Sequence, residues 1–178
     1  MDMVTRMGVS LLDPDQLSEL HDAIYVELKD FDLSMITHAL HTFGVETDFD
    51  ATAVAVFDHG NAPPGYSDRR FRFDHLRLQT MSGKSSIYDF CYLSNEVPYY
   101  MTRMRSVTES VEANFPLLIM NTAEAAVLGA LEDPHVSSQH CKVVTNVGNE
   151  HTLAFHLHDE AIQGLFEHHT NALTKNSL

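Results

Sequence analysis

The strictest pattern in the chain is the alternation over residues 152–158, where Leu153, Phe155 and Leu157 share one side. A period of two predicts a half-buried antiparallel strand. The β-branched run Val143–Asn146, before a glycine turn, predicts a partner strand, and Ala161–Phe166 predicts a third. We therefore expect a three-stranded antiparallel meander in this part of the chain.

The register of the meander follows from its second turn. If Asp159-Glu160 is a two-residue hairpin loop, the pairs are His158 with Ala161, Phe155 with Gly164, Thr152 with Glu167 and His151 with His168. This register predicts that Gly164 leaves room for Phe155 and that His168 lies beside His151.

Two short apolar runs, Ala53–Phe57 and Pro116–Met120, predict buried strands. The first leads into Asp58-His59-Gly60. The second leads into Asn121, a typical helix cap, and predicts a helix that Pro134 ends. Strands alternating with helices indicate the α/β class, in which ligands bind beyond the carboxyl ends of strands.

Three further helices are predicted from caps and spacing. The first covers about residues 14–29, the second extends from a cap at Asp32 to Gly44, and the third covers Arg69–Met81 after a loop at Asn61–Asp68. Residues 82–115 show no pattern that predicts a particular element.

Composition limits the class of protein. The 178 residues are 44% hydrophobic, enough for one sizeable core, and no apolar run is long enough to span a bilayer. The net charge of −14 disfavours nucleic acid and anionic membranes. The spacing of Cys91 and Cys141 fits neither a disulfide framework nor a metal-binding CxxC motif. We predict a cytoplasmic protein with a small-molecule or nucleotide ligand and no nucleic-acid or membrane partner.

The order of elements from Pro116 to Phe166 resembles the middle of the actin-like ATPase superfamily, which includes actin, heat-shock chaperone ATPase domains and sugar kinases. On this resemblance Asn121–Leu131 is the helix that links two lobes, and Asn146–Thr152 is the second phosphate loop. It implies an α/β fold in which residues 1–134 are the later part of a ribonuclease-H-like lobe and residues 135–178 open a truncated second lobe. It also implies ATP with Mg²⁺ as the ligand.

The loop supplies the candidate phosphate and nucleotide contacts: Asn146, Gly148, Asn149, His151 and Thr152. A glycine lets backbone N–H groups approach phosphate, and Thr152 adds a hydroxyl donor. The superfamily has an aspartate at the position of Asn146, and an amide binds a metal ion or polarises water far less well. We expect a protein derived from a kinase or ATPase and itself non-catalytic. The alternative is that Gly148-Asn149 forms only a hairpin turn.

A second resemblance covers nearly the whole chain. Its motifs are FDHGNAPPGYSDRRFRF at 57–73, MTRM at 101–104, AAVLGALED at 125–133, NVGNEHTLAF at 146–155 and GLFEHHT at 164–170. They are similar to an uncharacterised prokaryotic family that carries the label of a pyruvate formate-lyase activating enzyme. That label implies S-adenosylmethionine and an iron–sulfur cluster on three closely spaced cysteines. Because the chain has only Cys91 and Cys141, we expect no iron–sulfur cluster.

Members of that family are longer than this chain. The resemblance implies that a first phosphate loop of the Asp-x-Gly-x-x-Thr type and an adenosine-binding region lie outside it, so we expect a fragment. Strand edges left open by missing elements would favour a homodimer.

A polar cluster is the second candidate site: Asp58, His59, His151, Glu167, His168 and His169. Imidazoles and carboxylates bind transition metals or transfer protons near neutral pH. We assign Asp58 and His59 as catalytic residues, and no metal ligand is assigned because the spacing matches no metal motif. A metal-dependent hydrolase or lyase using this Asp/His cluster is the alternative function. These residues could instead satisfy backbone groups at loop ends.

Basic residues concentrate in one segment. Residues 69–105 contain seven arginines and lysines, whereas residues 1–50 contain 11 acidic and 2 basic residues. Arg69, Arg70 and Arg72, together with His168 and His169, are candidate contacts for a phosphorylated substrate. The arginines could equally pair with the acidic first fifty residues.

Overall fold

A computed structural model describes residues 12–13, 15–16, 19–22, 24, 29–81, 86–111, 115–149 and 151–169, the last residue through its backbone only. In chain order the elements are α1 (Leu33–Thr42), β1 (Thr52–Val56), α2 (Asp68–Met81), a 3₁₀ helix (Ile87–Phe90), β2 (Tyr92–Leu93), α3 (Thr102–Ser110), β3 (Leu117–Asn121), α4 (Thr122–Leu131), α5 (Pro134–Ser137), β4 (Cys141–Val147), β5 (His151–His158) and β6 (Ala161–His169).

The first sheet has the strand order β1-β3-β2. β1 and β3 are parallel, with Val56 opposite Asn121, and the short β2 is antiparallel to β3. Since parallel strands end at the same edge of a sheet, Asp58 after β1 lies beside Asn121 at the end of β3. Both predicted strands are confirmed to within one residue.

The C-terminal sheet is the predicted antiparallel meander, with the order β4-β5-β6. Its second turn is confirmed, because Asp159 and Glu160 join the strands and His158 pairs with Ala161. Asp159 has a φ of 53°, a left-handed conformation that aspartate adopts more readily than most residues.

The predicted register of β6 is wrong beyond this turn. Gln163 is an extra residue opposite the step between His156 and Leu157, and it forms a β-bulge. The pairs that follow are His156 with Gly164, Phe155 with Leu165, Leu153 with Glu167, Thr152 with His168 and His151 with His169. Gly164 therefore lies against His156 and not against Phe155.

The bulge exchanges the two faces of β6, because a shift of one residue turns each side chain to the opposite side of a strand. Glu167 lies on the inner face, with 4% of its side chain exposed. His168 lies on the outer face, where its ring stacks on Phe166 at 6.2 Å between centroids. The predicted register had the reverse arrangement.

Helix α4 joins the two sheets. It begins directly after β3, where the side-chain oxygen of Asn121 accepts a hydrogen bond from the Ala123 N–H at 3.3 Å, as the predicted cap requires. Its apolar residues Val127 and Leu131 pack against the inner face of β5, including Phe155. On the first sheet, α3 packs against β1 and β3.

The N-terminal helices have different outcomes. α1 is confirmed, with the Asp32 carboxylate accepting from the Met35 N–H at 3.0 Å and Gly44 following at a φ of 74°. The helix predicted at about 14–29 lies partly outside the described residues. Within them, residues 15–16 are helical, whereas 19–22 and 24 are not. Ile24 is 91% exposed, so the apolar stripe that suggested this helix packs on no core at that position.

The 3₁₀ helix, β2 and α3 lie in the stretch 82–115, where no element was predicted. β2 is too short to show a period. The N-cap residue of α3, Met101, makes no capping hydrogen bond with its side chain. The Asp58 carboxylate, 45 residues before Arg103 in the chain, accepts from the Arg103 N–H instead. Neither feature is visible in the local sequence.

The mixed α/β class with a C-terminal antiparallel meander is confirmed. The ribonuclease-H-like topology and the domain division after residue 134 stay predictions. Within the described ranges, the longest apolar helices fall short of what is needed to cross a bilayer.

Candidate functional site

Three polar side chains from distant parts of the sequence converge at the start of β5. They are His59 in the loop after β1, His151 at the first position of β5, and Glu167 near the end of β6. One ring nitrogen from each histidine and one carboxylate oxygen all lie within 4.8 Å of one another. His151 Nδ1 and Glu167 Oε1 are 3.2 Å apart. The bulge at Gln163 is what turns Glu167 toward this position.

Arg72 holds Glu167 in place. Its Nε donates to Glu167 Oε2 at 2.8 Å and to Oε1 at 3.2 Å. Its Nη2 lies 3.4 Å from an oxygen of Glu124, and Nη1 donates to the backbone oxygen of Asp58 at 3.4 Å. The guanidinium thus connects α2 with β6, α4 and the loop after β1.

Glu124 is the second carboxylate beside this guanidinium, and it is 1% exposed. Its Oε2 has no hydrogen-bond partner among the described residues. Burial raises the pKa of Glu124, while the charge of Arg72 opposes that rise. With both carboxylates ionised, the cluster of Arg72, Glu124 and Glu167 carries one negative charge that no guanidinium offsets.

One ring nitrogen of His59 has no partner within the described ranges. Its Nε2 is buried and has no hydrogen-bond partner in the described part of the chain. The ring packs against Phe57 at 4.5 Å and His151 at 5.1 Å between centroids. Burial lowers the pKa of His59, and the charge of Arg72 lowers it further. The imidazole is therefore neutral at pH 7, so it can offer a lone pair to a proton donor or a metal ion.

Asp58 is buried beside this cluster, but its carboxylate is engaged by the backbone. Oδ1 accepts from the Gly60 N–H at 2.8 Å, and Oδ2 accepts from the N–H groups of Arg103 and Met104 at 2.9 and 3.0 Å. The Asn121 side chain donates to the Asp58 backbone oxygen at 2.8 Å. Asp58 therefore caps α3 and joins the ends of β1 and β3.

A cavity of about 250 Å³ adjoins His151. The hairpin residues Asn146, Gly148 and Asn149 line it, as do Thr122 and Ala123 of the first turn of α4, with Phe57 and Leu153 completing the wall. Gly148 has no room for a side chain, since a Cβ would lie 2.9 Å from the backbone oxygen of His151. Its N–H donates to that same oxygen at 2.9 Å, as in a hairpin turn.

The other predicted site residues lie apart from the cavity. Arg69 and Arg70 are exposed on α2, and the Arg70 guanidinium lies over the Tyr66 ring, 5.5 Å from its centroid. Thr152 is buried and lies outside the cavity wall. His168 is on the outer face of β6, and the side chain of His169 is outside the described part of the structure.

Glu124 was not recognised as a site residue from the sequence, because its position after Asn121 indicated a capping role. Arg72 was recognised, but as a surface contact for a substrate. A signal for its burial was present. Arg72, His75 and Leu76 are spaced as one helical face, and these are the buried residues of α2.

The cysteines do not fit an iron–sulfur cluster. Cys91 lies just before β2 in the first sheet and Cys141 begins β4 in the second, and both are free thiols. Two thiols on separate sheets cannot supply three closely spaced thiolate ligands. Burial raises the pKa of Cys91, which further disfavours the thiolate that ligation requires.

Comparison with curated proteins and with solved structures gave no match. Comparison with protein families did, and the match extends over residues 1–178, which is the whole chain. The chain belongs to the family described as "Putative pyruvate format-lyase activating enzyme (DUF1786)".

Proposed function

We propose that this protein derives from an actin-like nucleotide-binding kinase or ATPase, and that it binds the phosphate end of a nucleotide without hydrolysing it. The observation that carries the proposal is the cavity beside the β4–β5 turn. Four of the five predicted loop contacts line it, namely Asn146, Gly148, Asn149 and His151. The opposite wall is the start of a helix, where backbone N–H groups and the helix dipole favour an anion.

The size of the cavity suits a phosphate group better than a whole nucleotide. Sites for drug-sized ligands occupy roughly 300–1,000 Å³, and this cavity has about 250 Å³. The Gly148 N–H is engaged in the turn, so the amides of Asn146 and Asn149 and the hydroxyl of Thr122 are the candidate donors.

Binding without hydrolysis is expected because the described wall of the cavity contains no carboxylate. Mg²⁺ prefers carboxylate, phosphate and water oxygens. An ion that accompanied the nucleotide would therefore be held by phosphate and water.

The order β3, α4, β4, β5, β6, with α4 joining two sheets, supports the ribonuclease-H-like ancestry.

Substitution of Gly148 tests this proposal. Gly148→Ala would press a Cβ against the His151 oxygen and reshape the turn, so we expect Mg-ATP affinity to fall at least about tenfold, roughly 1.4 kcal/mol. Gly129→Ala is the matched control, since nothing lies within 4 Å of its new Cβ on α4. Calorimetric titration with Mg-ATP, pyrophosphate and adenosine measures both variants. Absence of Mg-ATP binding at millimolar concentration, or equal binding of adenosine, would refute the proposal.

A metal-dependent hydrolase or lyase is the second candidate, favoured by the convergence of His59, His151 and Glu167. A metal ion there would supply Lewis acidity and an activated water beside the cavity. Phosphate release from ATP, measured with Zn²⁺ or Mn²⁺ and again with EDTA, tests it. Release that is the same with metal and with EDTA argues against this function.

We also propose that the chain forms a homodimer. In the described residues β1 pairs only with β3, and its exposed Ala53 and Ala55 alternate along an open edge. Light scattering on the purified protein measures the mass, and a monomer at micromolar concentration would contradict this part of the proposal.

A further inference from the structure

The cluster of His59, His151 and Glu167 has the residue types of a transition-metal site. Two histidines and one carboxylate, with a further position open to water, bind zinc in several hydrolases and iron in many oxygenases. The three side chains come from the loop after β1 and from two strands of the C-terminal sheet, and their donor atoms lie within 4.8 Å of one another. Convergence of this kind requires the tertiary structure.

The distances suit a metal ion after a small movement. Ligand atoms about 2.0–2.1 Å from a tetrahedral metal lie about 3.4 Å from one another. The 3.2 Å between His151 Nδ1 and Glu167 Oε1 already matches this spacing. His59, the third ligand, is in the loop after β1, and its ring nitrogen lies within 4.8 Å of the other two ligand atoms.

The free nitrogen of His59 is the strongest indication of a missing partner. A buried polar atom without a hydrogen bond is unfavourable, and most such atoms in proteins are satisfied. His59 Nε2 is buried and has no hydrogen-bond partner among the described residues. A metal ion bound at this nitrogen would supply the missing partner.

Neighbouring groups contact all three proposed ligands. Arg72 binds both oxygens of Glu167, and Phe57 packs against the rings of both His59 and His151. Such outer contacts commonly orient metal ligands. Arg72 also contacts the second buried carboxylate, Glu124, so the guanidinium is fixed from two sides.

We propose that His59, His151 and Glu167 bind one divalent transition-metal ion, with an open coordination position toward the cavity that His151 lines. Arg72 acts as a positioning residue for Glu167. The site shares His151 with the proposed nucleotide cavity but does not require nucleotide binding, whereas the hydrolase or lyase candidate rests on this site.

Zinc binding to the full chain, purified without a histidine tag and stripped with EDTA, tests the proposal. We expect one equivalent of Zn²⁺ in competition with a chromogenic chelator. His59→Phe keeps an aromatic ring against Phe57 but removes the ligand nitrogen, and should weaken binding more than the roughly 10–100-fold typical of losing an outer contact. If circular dichroism shows that His59→Phe disturbs the fold, His59→Ala is measured in place of that variant.

His156→Phe is the matched control. His156 lies on the outer face of the meander, where its Nε2 is 3.3 Å from the Cys141 sulfur. This histidine–cysteine pair is the alternative zinc site that the control tests. We expect this variant to bind zinc like the unmodified chain. Unchanged binding in the His59 variants, or loss of binding in His156→Phe, would overturn the proposal.

X-ray absorption at the zinc edge gives a second measurement without using activity. The proposed site predicts nitrogen and oxygen ligands at about 2.0–2.2 Å and no sulfur, whereas a site at Cys141 would show sulfur at about 2.3 Å. The titrations contain no nucleotide, so failure of metal binding is distinguishable from failure of nucleotide binding. Less than a tenth of an equivalent of bound zinc would show that Arg72, Glu167 and His151 form only a structural ion-pair cluster.

Discussion

Asp58 and Glu167 are both buried carboxylates at strand ends, yet their surroundings differ. Asp58, after β1, accepts three hydrogen bonds from backbone N–H groups. Glu167, in β6, contacts the ionisable side chains of Arg72 and His151. Backbone N–H groups cannot leave without unfolding the local chain, whereas side chains can change partners. This difference makes Asp58 an architectural residue and Glu167 the better candidate for ligand chemistry.

The largest expected effect is that of Arg72→Met. Removal of the guanidinium leaves Glu124 and Glu167 buried without their counter-charge, which costs about 3–5 kcal/mol for a buried pair. Urea denaturation measures the free energy of unfolding. Arg70→Met on the same helix is the control. Its side chain is 74% exposed and 3.8 Å from Asp74, so we expect a loss of less than about 1 kcal/mol. Equal losses in the two variants would contradict the assignment of Arg72 to a buried cluster.

The next largest effect is that of Asp58→Ala. It leaves the first N–H groups of α3 and the Gly60 N–H without an acceptor, and we expect a loss of about 2–3 kcal/mol. Arg103→Ala keeps the backbone N–H and removes the ion pair with Asp30 at 2.9 Å and the hydrogen bond to the Phe57 backbone oxygen at 2.7 Å, so its loss should be smaller than that of Asp58→Ala. If Asp58→Asn stays folded but no longer binds zinc, the contrast between the two carboxylates fails.

The smallest effect distinguishes the two partners of Arg72. Because burial raises the pKa of Glu124 above its unfolded value, its ionised form destabilises the folded state, and that penalty disappears as the pH falls below the unfolded pKa. We therefore expect Glu124→Gln to raise the free energy of unfolding at pH 7 by less than about 1 kcal/mol. The gain should shrink as the pH is lowered toward 4.

Glu167→Gln is the comparison, and it should destabilise at pH 7 because it weakens a hydrogen-bonded ion pair of 2.8 Å. Denaturation series for both variants over the same pH range measure the difference. A larger loss for Glu124→Gln than for Glu167→Gln would reverse the roles of the two carboxylates.

Much of the fold could be predicted because its signals are local. β1, β3 and the start of α4 follow from short apolar runs and the Asn121 cap. The bulge could not be placed in the same way. The one indication of it in the sequence is Gly164 inside a strand pattern, and a glycine there is only a weak sign of irregular pairing. The error mattered, because it turned His168 toward the inner face beside His151 and Glu167 toward the outer face, the reverse of the observed arrangement.

The candidate site was predicted in part. The loop residues Asn146, Gly148, Asn149 and His151 do line one cavity. The three candidate arginines do not form one site, however, because Arg72 is buried whereas Arg69 and Arg70 are exposed on the same helix. The helical spacing of Arg72 with His75 and Leu76 indicated the buried face, but the acidic partners that allow an arginine to be buried come from distant parts of the chain.

The amino-acid sequence by itself determined the α/β class, the meander and the glycine turn beside His151, since periodicity and turn residues act over a few positions. Tertiary structure decided which polar groups meet. Glu167 reaches His151 and His59 through a one-residue bulge, and Arg72 reaches Glu124 across 52 residues of chain. Burial then sets the charge of each group, because desolvation depends on the surrounding protein and not on neighbours in sequence.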